Sequence, residues 1–252
     1  MQDSKPMSTP IAVGTKLGKH EDENSVDPTM YRRIIGSLLY LTATRPDIVF
    51  ATCLAARFQS NPKEEHMTAV KRIMRYIQGT HNCDLYFAAG RNNELSAFSD
   101  ADWAGDVVDR KSTSGGAFYI GNKCVGWLSK KQENTSLSTA EAEYISATKA
   151  CTQLLWMKQQ LTDIGDEVKQ PMVIYCDNKS VIDLTKNPVQ HSRTKHIEIW
   201  YHFIKEKVEQ GVIRMDHVGT DEQVADILTK PLSTAVFVKH RLNLGVQPPP
   251  SA

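Results

Sequence analysis

"FSDADWAG", Phe98–Gly105, sets Asp100 and Asp102 into a run whose neighbours alternate like a half-buried strand. A carboxylate in such a place is expensive unless something compensates its charge. The surrounding texture supports the strand reading. "LSAFSDAD" at 95–102, "GGAFYIG" at 115–121 and "CVGWLS" at 124–129 are separated by Gly, Asn and Ser turns. Downstream, the β-branched runs "PMVIYCD" at 171–177 and "VIRMDHV" at 212–218 alternate with helical patterns. These helices are expected from Thr139 to about Thr162, from about Thr194 to Gln210, and, as a short element, from about Asp221. Three antiparallel-looking strands followed by helix, strand, helix, strand, helix predict an α/β fold with a mixed sheet flanked by helices.

Four acids fall where these elements end or begin. Asp100 lies near the end of the first strand, Glu143 early in the long helix, Asp177 at the end of "VIYCD" and Asp226 in the last helix. Glu143 is favoured over Glu141 because positions 143, 147, 150, 154, 157 and 161 form one stripe, otherwise Ala147, Ala150, Leu154, Met157 and Leu161. Glu141 remains the alternative. Carboxylates brought together repel one another, which raises their pKa values and costs stability unless a cation sits among them. Two divalent ions would resolve that conflict and serve phosphodiester hydrolysis. Each acid also has a plainer reading. Asp177 before "NKSVIDL" would cap a helix, Asp102 and Asp106 read as turn residues, and His217 at a strand end reads as a surface residue.

The chain has 252 residues, 40% hydrophobic and 23% charged, with a formal net charge of +1, ordinary for a globular protein with a sizeable core. Its five cysteines contain no C-x-x-C pair, which argues against a zinc module and for reduced thiols inside a cell. No run reaches the ~18 to 20 apolar residues of a membrane span, and the polar start lacks a signal-peptide core. The expected location is intracellular, cytoplasmic (particle-associated) or nuclear, and not secreted or membrane-bound.

Residues 1–28 are polar and without periodicity, so a disordered lead-in is expected. From Tyr31 three helices follow: one running to Thr44, one restarting at Pro46 and Asp47, and one with Asn61 as cap, Pro62 in first and Glu64 in third position, stopping at Gly79. A composition change near Arg91 suggests a separable helical unit over 29–90, an α/β unit over 91–235 and a tail over 236–252.

Five ordered segments, "SDADWAGDVVDRKSTSGGAFYIG", "SLSTAEAEYISA", "VIYCDNKSVIDL", "RTKHIEIWYHFIKEKV" and "QVADILTKPL", resemble the ribonuclease H domain of copia-type retrotransposon Pol polyproteins. "YRRIIGSLLYLTATRPDIVFA" and "RFQSNPKEEHMTAVKRIMRYIQGT" resemble the thumb-like helices that follow the reverse transcriptase palm of the same polyprotein. The resemblance implies a carboxyl-terminal fragment of Pol with a ribonuclease H-like mixed five-stranded sheet. It implies cleavage of the RNA strand of RNA–DNA hybrids with Asp100, Glu143, Asp177 and Asp226 as ligands of two Mg2+ ions, Mn2+ as a substitute, and His217 as an aid to product release. The expected partners are the hybrid and the remainder of the Pol polyprotein. Arg110, Lys111, Ser112, Lys130, Lys131, Arg193 and Lys195 lie in loops suited to phosphates and sugar hydroxyls, with a solvated loop as the plainer alternative. "YCDN" at 175–178 imitates a polymerase signature but ends in Asn, so no polymerase site is expected. A catalytically inactive remnant acting as a nucleic-acid-binding or interaction module is the competing reading. A transposase-like enzyme is disfavoured by the acid order Asp, Glu, Asp, Asp.

Overall fold

The computed structural model describes residues 4–19, 22–87, 89–90, 92–186 and 198–249. Helix α1 spans Pro28–Leu41, starting a turn earlier than the apolar pattern because the Asp27 carboxylate accepts the Thr29 N–H at 2.9 Å and Pro28 takes the first helical position. A single 3-10 turn, Pro46–Ile48, leads into α2, Val49–Ala56. Helix α3, Glu64–Gly79, is capped differently from the Asn61–Pro62–Glu64 expectation. His66 Nδ1 accepts the Lys63 N–H at 2.9 Å, and its ring stacks on Phe58 with centroids 4.0 Å apart.

Strand β1 (Asp84–Leu85) is followed by β2 (Leu95–Asp102), β3 (Thr113–Ile120), β4 (Lys123–Lys131), α4 (Thr139–Asp163), β5 (Met172–Cys176), α5 (Lys179–Lys186), α6 (Glu198–Glu209) and β6 (Ile213–His217). After a 3-10 turn at Val224–Leu228 come α7 (Thr234–Asn243) and β7 (Val246–Gln247). The main sheet has five strands in the order β4-β3-β2-β5-β6. Strands β2, β3 and β4 pair antiparallel, while β5 joins β2, and β6 joins β5, in parallel. This is the ribonuclease H-like mixed sheet. No helix among the described residues is long and apolar enough to cross a membrane.

Both faces of the sheet are covered, which explains why β3 is buried nearly throughout instead of alternating. Ala97, Phe118 and Ile174 pack with Tyr144, Ala147, Cys151 and Leu154 of α4. Ala117 and Tyr119 pack on the opposite face into one core with Ile35, Leu38, Leu54, Ile73 and Tyr76 of α1–α3.

Three expectations about organisation need correction. The polar lead-in is not loose where it is described: Ile11 and Leu17 are buried, and Arg72 and Arg75 of α3 donate to the carbonyls of Thr9 at 3.2 Å and Lys5 at 2.6 Å. Hydrogen bonds from a neighbouring helix thus replace the secondary structure this segment lacks. The expected tail carries α7, whose Phe237 meets Tyr76 edge-on at 5.5 Å, and β7, which pairs antiparallel with β1. The boundary near Arg91 separates two textures but not two cores. Trp127 Nε1 donates to the Thr42 carbonyl at 2.9 Å, and Val224, Ile227, Leu228 and Phe237 lie in the same cluster as α1–α3.

The chain starting at Asn92 is therefore expected to melt well below the full chain, since burying each such large apolar side chain stabilises by about 1.5–3 kcal/mol. Comparing thermal melts of the two chains checks this. Equal melting temperatures would show that the sheet face needs no helical cover.

Candidate active site

The site is assembled by contacts that pin four elements to one end of the sheet. On β2, Asp100 sits opposite Gly115 of β3. The Ser146 hydroxyl donates to the Asp100 carbonyl at 2.7 Å and lies 3.2 Å from the Gly115 carbonyl, fixing α4 across the two strands. Glu143, one turn earlier on α4, is buried there, and its carboxylate accepts the Ala101 N–H. Because β5 runs parallel to β2, its end delivers Asp177 to the same place, where the Thr220 hydroxyl lies 3.4 Å from the Asp177 carboxylate.

Asp226 arrives on the 3-10 turn, not on an α-helix as the sequence suggests. Two contacts hold that turn. The Gln223 side-chain amide donates to the Ser99 carbonyl at 2.9 Å. Gly115 lets the turn lie against β3: a Cβ there would come within 2.5 Å of Thr229 Cγ2 and 2.9 Å of the Ala225 carbonyl oxygen. With the turn in place, the Thr229 hydroxyl donates a short hydrogen bond to the Asp100 carboxylate. Lys230 Nζ then stands 2.9 Å from Asp226 Oδ1 and 3.6 Å from Asp100 Oδ2.

Asp100, Glu143, Asp177, Lys230 and Trp103 line a cleft of 620 Å³, while Asp226 stays buried behind Lys230. The electrostatics are those of crowded carboxylates. Burial first, then the charges of Asp100 and Asp177, push Glu143 up to about 10. Burial and the charge of Asp100 push Asp226 up to about 7 against the pull of Lys230. Asp177 is raised by burial and by Asp100. Burial works against the Lys230 ammonium, but Asp100 and Asp226 outweigh it and raise its pKa.

Glu143 Oε2 is buried without a hydrogen-bond partner. Together with the carboxylates around it, that orphaned oxygen fits a hard divalent cation. Ligand atoms of Glu143, Cys176 and Asp177 lie within 4.8 Å of one another. Burial raises the Cys176 thiol, which keeps it protonated and soft, so the oxygens are the donors for a hard ion.

The other site expectations divide. Glu141 stays out of the cluster: its Oε2 accepts the Leu137 N–H at 2.8 Å while the Ser138 hydroxyl accepts the Glu141 N–H at 3.2 Å, a helix cap. His217 ends β6, exposed, on the cleft wall. Asp106 is a buried ion-pair hub, 2.9 Å from Arg57 and 2.7 Å from Lys131, and Lys131 is also 2.9 Å from Asp109. Ser112 does not fit a nucleic-acid contact. It is fully buried, and its hydroxyl accepts the Ala104 N–H at 3.1 Å to shape the loop. Arg110 and Lys130 are exposed, and Lys111 lies 3.8 Å from Asp109. Arg193 and Lys195 lie outside the described residues.

Over all 252 residues the chain is 45% identical to the Pol polyprotein of transposon RE1 from Arabidopsis thaliana, and over 237 residues 41% identical to that of transposon TNT 1-94 from Nicotiana tabacum. Along its whole length the chain is similar to one segment of copia-type retrotransposon Pol polyproteins. It spans 17% of the RE1 polyprotein and 18% of the TNT 1-94 polyprotein. No family model matches it. Among solved structures, the ribonuclease H1 LC11, isolated from compost, aligns with 54% of this chain and 93% of its own at 17% identity and a TM-score of 0.42. Sequence reasoning missed Lys230, Thr229 and Trp103. Lys230 lies four residues after Asp226, a spacing that signals an ion pair only once the acid is known to be buried. Trp103 directly follows the acidic strand and is anchored by its Nε1–H on the Ser136 carbonyl at 3.0 Å.

Proposed function

We propose that this Pol segment hydrolyses the RNA strand of RNA–DNA hybrids. The observation that carries the reading is the convergence of Asp100, Glu143, Asp177 and Asp226 from four separate elements, with a buried Glu143 oxygen left without a partner. Asp100, Glu143, Asp177 and Asp226 would hold two Mg2+ ions, with Mn2+ as a substitute, and such ions supply an activated water and stabilise the departing oxygen of a phosphodiester. The rest falls to the chain itself. The cleft is open at the sheet end, so a duplex can lie across it with its scissile phosphate at Asp100. A-form geometry presents 2′-hydroxyls along a wide minor groove, readable without base contacts, and the half-exposed Trp103 offers an apolar wall for a ribose. The exposed cations Arg110, in the loop between β2 and β3, and Lys130, near the end of β4, would serve backbone phosphates. His217, on the cleft wall, would take part in product release. The remainder of the Pol polyprotein is the proposed partner, and the interior of the cell the proposed location.

The test is cleavage of labelled hybrid by the purified chain. RNA-strand cleavage is expected with Mg2+, none with EDTA, and none on duplex DNA. Cleavage that survives EDTA, or none with Mg2+, overturns the reading. Hybrid binding without cleavage would instead support the non-catalytic module.

A further inference from the structure

A second cavity, of 310 Å³, lies where three distant segments meet: Lys19 of the lead-in, Arg57 and Lys63 of the turn between α2 and α3, and, from the sheet, Asp106 of the β2–β3 loop with Lys131 at the end of β4. Its charge is predominantly positive. Lys19, Arg57 and Lys131 face only Asp106 and, through Lys131, Asp109, so cations are in excess among the described residues even with Lys63 left aside. Donors are left over as well. Arg57 gives Nη1 to Asp106 at 2.9 Å and Nη2 to the Thr113 hydroxyl at 3.1 Å, which uses two of the five N–H groups of a guanidinium. Lys19 is exposed and has no ion-pair partner among the described residues. The buried Lys63 ammonium donates to the Glu23 carbonyl at 3.0 Å and the Ser25 hydroxyl at 3.1 Å, which ties the lead-in to the turn and fixes one wall.

The cavity adjoins the carboxylate cleft. Thr113, which Arg57 holds, is the register partner of Asp102 on β2 and of Lys131 on β4. Asp102 itself lines the cleft, and the charges of Arg57 and Lys16 reach it as well as that of Lys230. Two residues along a strand and two strands across put the Lys131 backbone roughly 12 Å from that of Asp100, about three to four base steps at ~3.4 Å each. We propose that this cavity seats one backbone phosphate of the bound hybrid, a few nucleotides from the scissile position, with Arg57 and Lys19 as its principal donors and Lys131 beside them. The inference deepens the hybrid reading above and rests on it. A guanidinium fork suits two oxygens of one phosphate, and Asp106 holds Arg57 and Lys131 together against their mutual repulsion until that phosphate arrives. The lead-in then contributes a binding group of its own, and the duplex is held by the helical unit as well as by the sheet.

The test is binding of labelled hybrid to the full chain in EDTA across a salt series, with circular dichroism as the check on folding. Lys19→Gln and Arg57→Gln are each expected to weaken binding about tenfold at low salt and to reduce the slope of log affinity against log salt by about 1. Lys169→Gln, which removes an exposed charge beside Glu94 just before β2, should change neither. Wild-type affinity and slope in both cavity variants would overturn the inference, as would an equal loss in Lys169→Gln, the mark of net charge alone. If Arg57→Gln does not fold, Lys19→Gln and Lys19→Glu decide, since that side chain is exposed. Inorganic phosphate that binds the wild-type chain and not Arg57→Gln, with hybrid binding unchanged, would make the cavity a site for free anions and overturn the seating of a backbone phosphate. No binding of hybrid by the wild-type chain at any salt would overturn the hybrid reading together with this inference, a different outcome from equal binding by all the chains.

Discussion

Asp100→Asn is expected to leave a folded chain whose cleavage of hybrid falls by about 10³-fold or more, equivalent to roughly 4 kcal/mol of barrier. Asp100 is the member of the cluster felt by all the others: its charge acts on Glu143, Asp177, Asp226 and Lys230. Asparagine keeps the shape and an oxygen that can accept the Thr229 hydroxyl, so the packing of the 3-10 turn on β3 survives. It removes a charge that the metal-free cluster tolerates poorly, so the melting temperature should hold or rise while the rate collapses. Initial rates and thermal melts of the same preparation check both halves. Full activity would remove Asp100 from the reaction.

The second expectation separates two glutamates two residues apart. Glu143→Gln should be inactive, whereas Glu141→Gln should cleave normally, since its amide oxygen can still accept the Leu137 N–H that Glu141 caps. The reverse result would mean that the helix face has been misassigned. Glu143 also predicts a pH dependence. The folded chain raises it from its ordinary 4.5 to about 10, so below about pH 4.5 both folded and unfolded states hold the proton and the associated stability is fully present. As pH rises, the unfolded chain ionises first, and the metal-free protein loses this stability progressively up to about pH 10. Asp226, raised from 3.8 to about 7, adds a loss of the same sign in the lower part of that range. In Glu143→Gln the decline between pH 7 and 10 should flatten, as read from denaturant midpoints in EDTA. An unchanged slope would show that Glu143 ionises freely in the fold.

How legible this was in the sequence depends on how local the cause is. The acids of β2, α4 and β5 could be placed because strand ends and a helical stripe are written in consecutive residues, and Ala147, Ala150 and Leu154 do lie in the core that the stripe implied. Asp226 was assigned to the wrong kind of helix, since its turn is held by Gln223 reaching Ser99 and by the missing side chain of Gly115, both far away in sequence. Ser112 looked like a phosphate contact because loops attract serine, and nothing nearby shows that Ala104 would use its hydroxyl. The lead-in looked disordered because its buried positions, Thr9, Pro10, Ile11 and Leu17 among them, form no periodic apolar pattern, and the arginines that fix its backbone belong to α3. Helix α7 was read as tail for a similar reason. Its anchors, Phe237 and His240, make no stripe that stands out from the polar residues around them.

The anchoring of the 3-10 turn by Gln223 on Ser99 also bears on timing. Strand β2 lies at the centre of the sheet, yet the residues that complete its carboxylate end come after β6, so the carboxylate cluster closes through contacts 124 and 129 residues apart in sequence. Such contacts form late, because the entropy of closing a long loop is lost before the contact compensates it. During synthesis, a nascent chain that has exposed Asp100, Glu143 and Asp177 but not yet Gln223 through Lys230 has neither its fourth acid nor the cation that steadies it. Ribosome-arrested chains halted before Gln223 should therefore leave hybrid intact, while chains extended past α7 and β7 cut it. Synthesis itself would then act as the safety catch, keeping the carboxylate cluster incomplete until the last turn has docked.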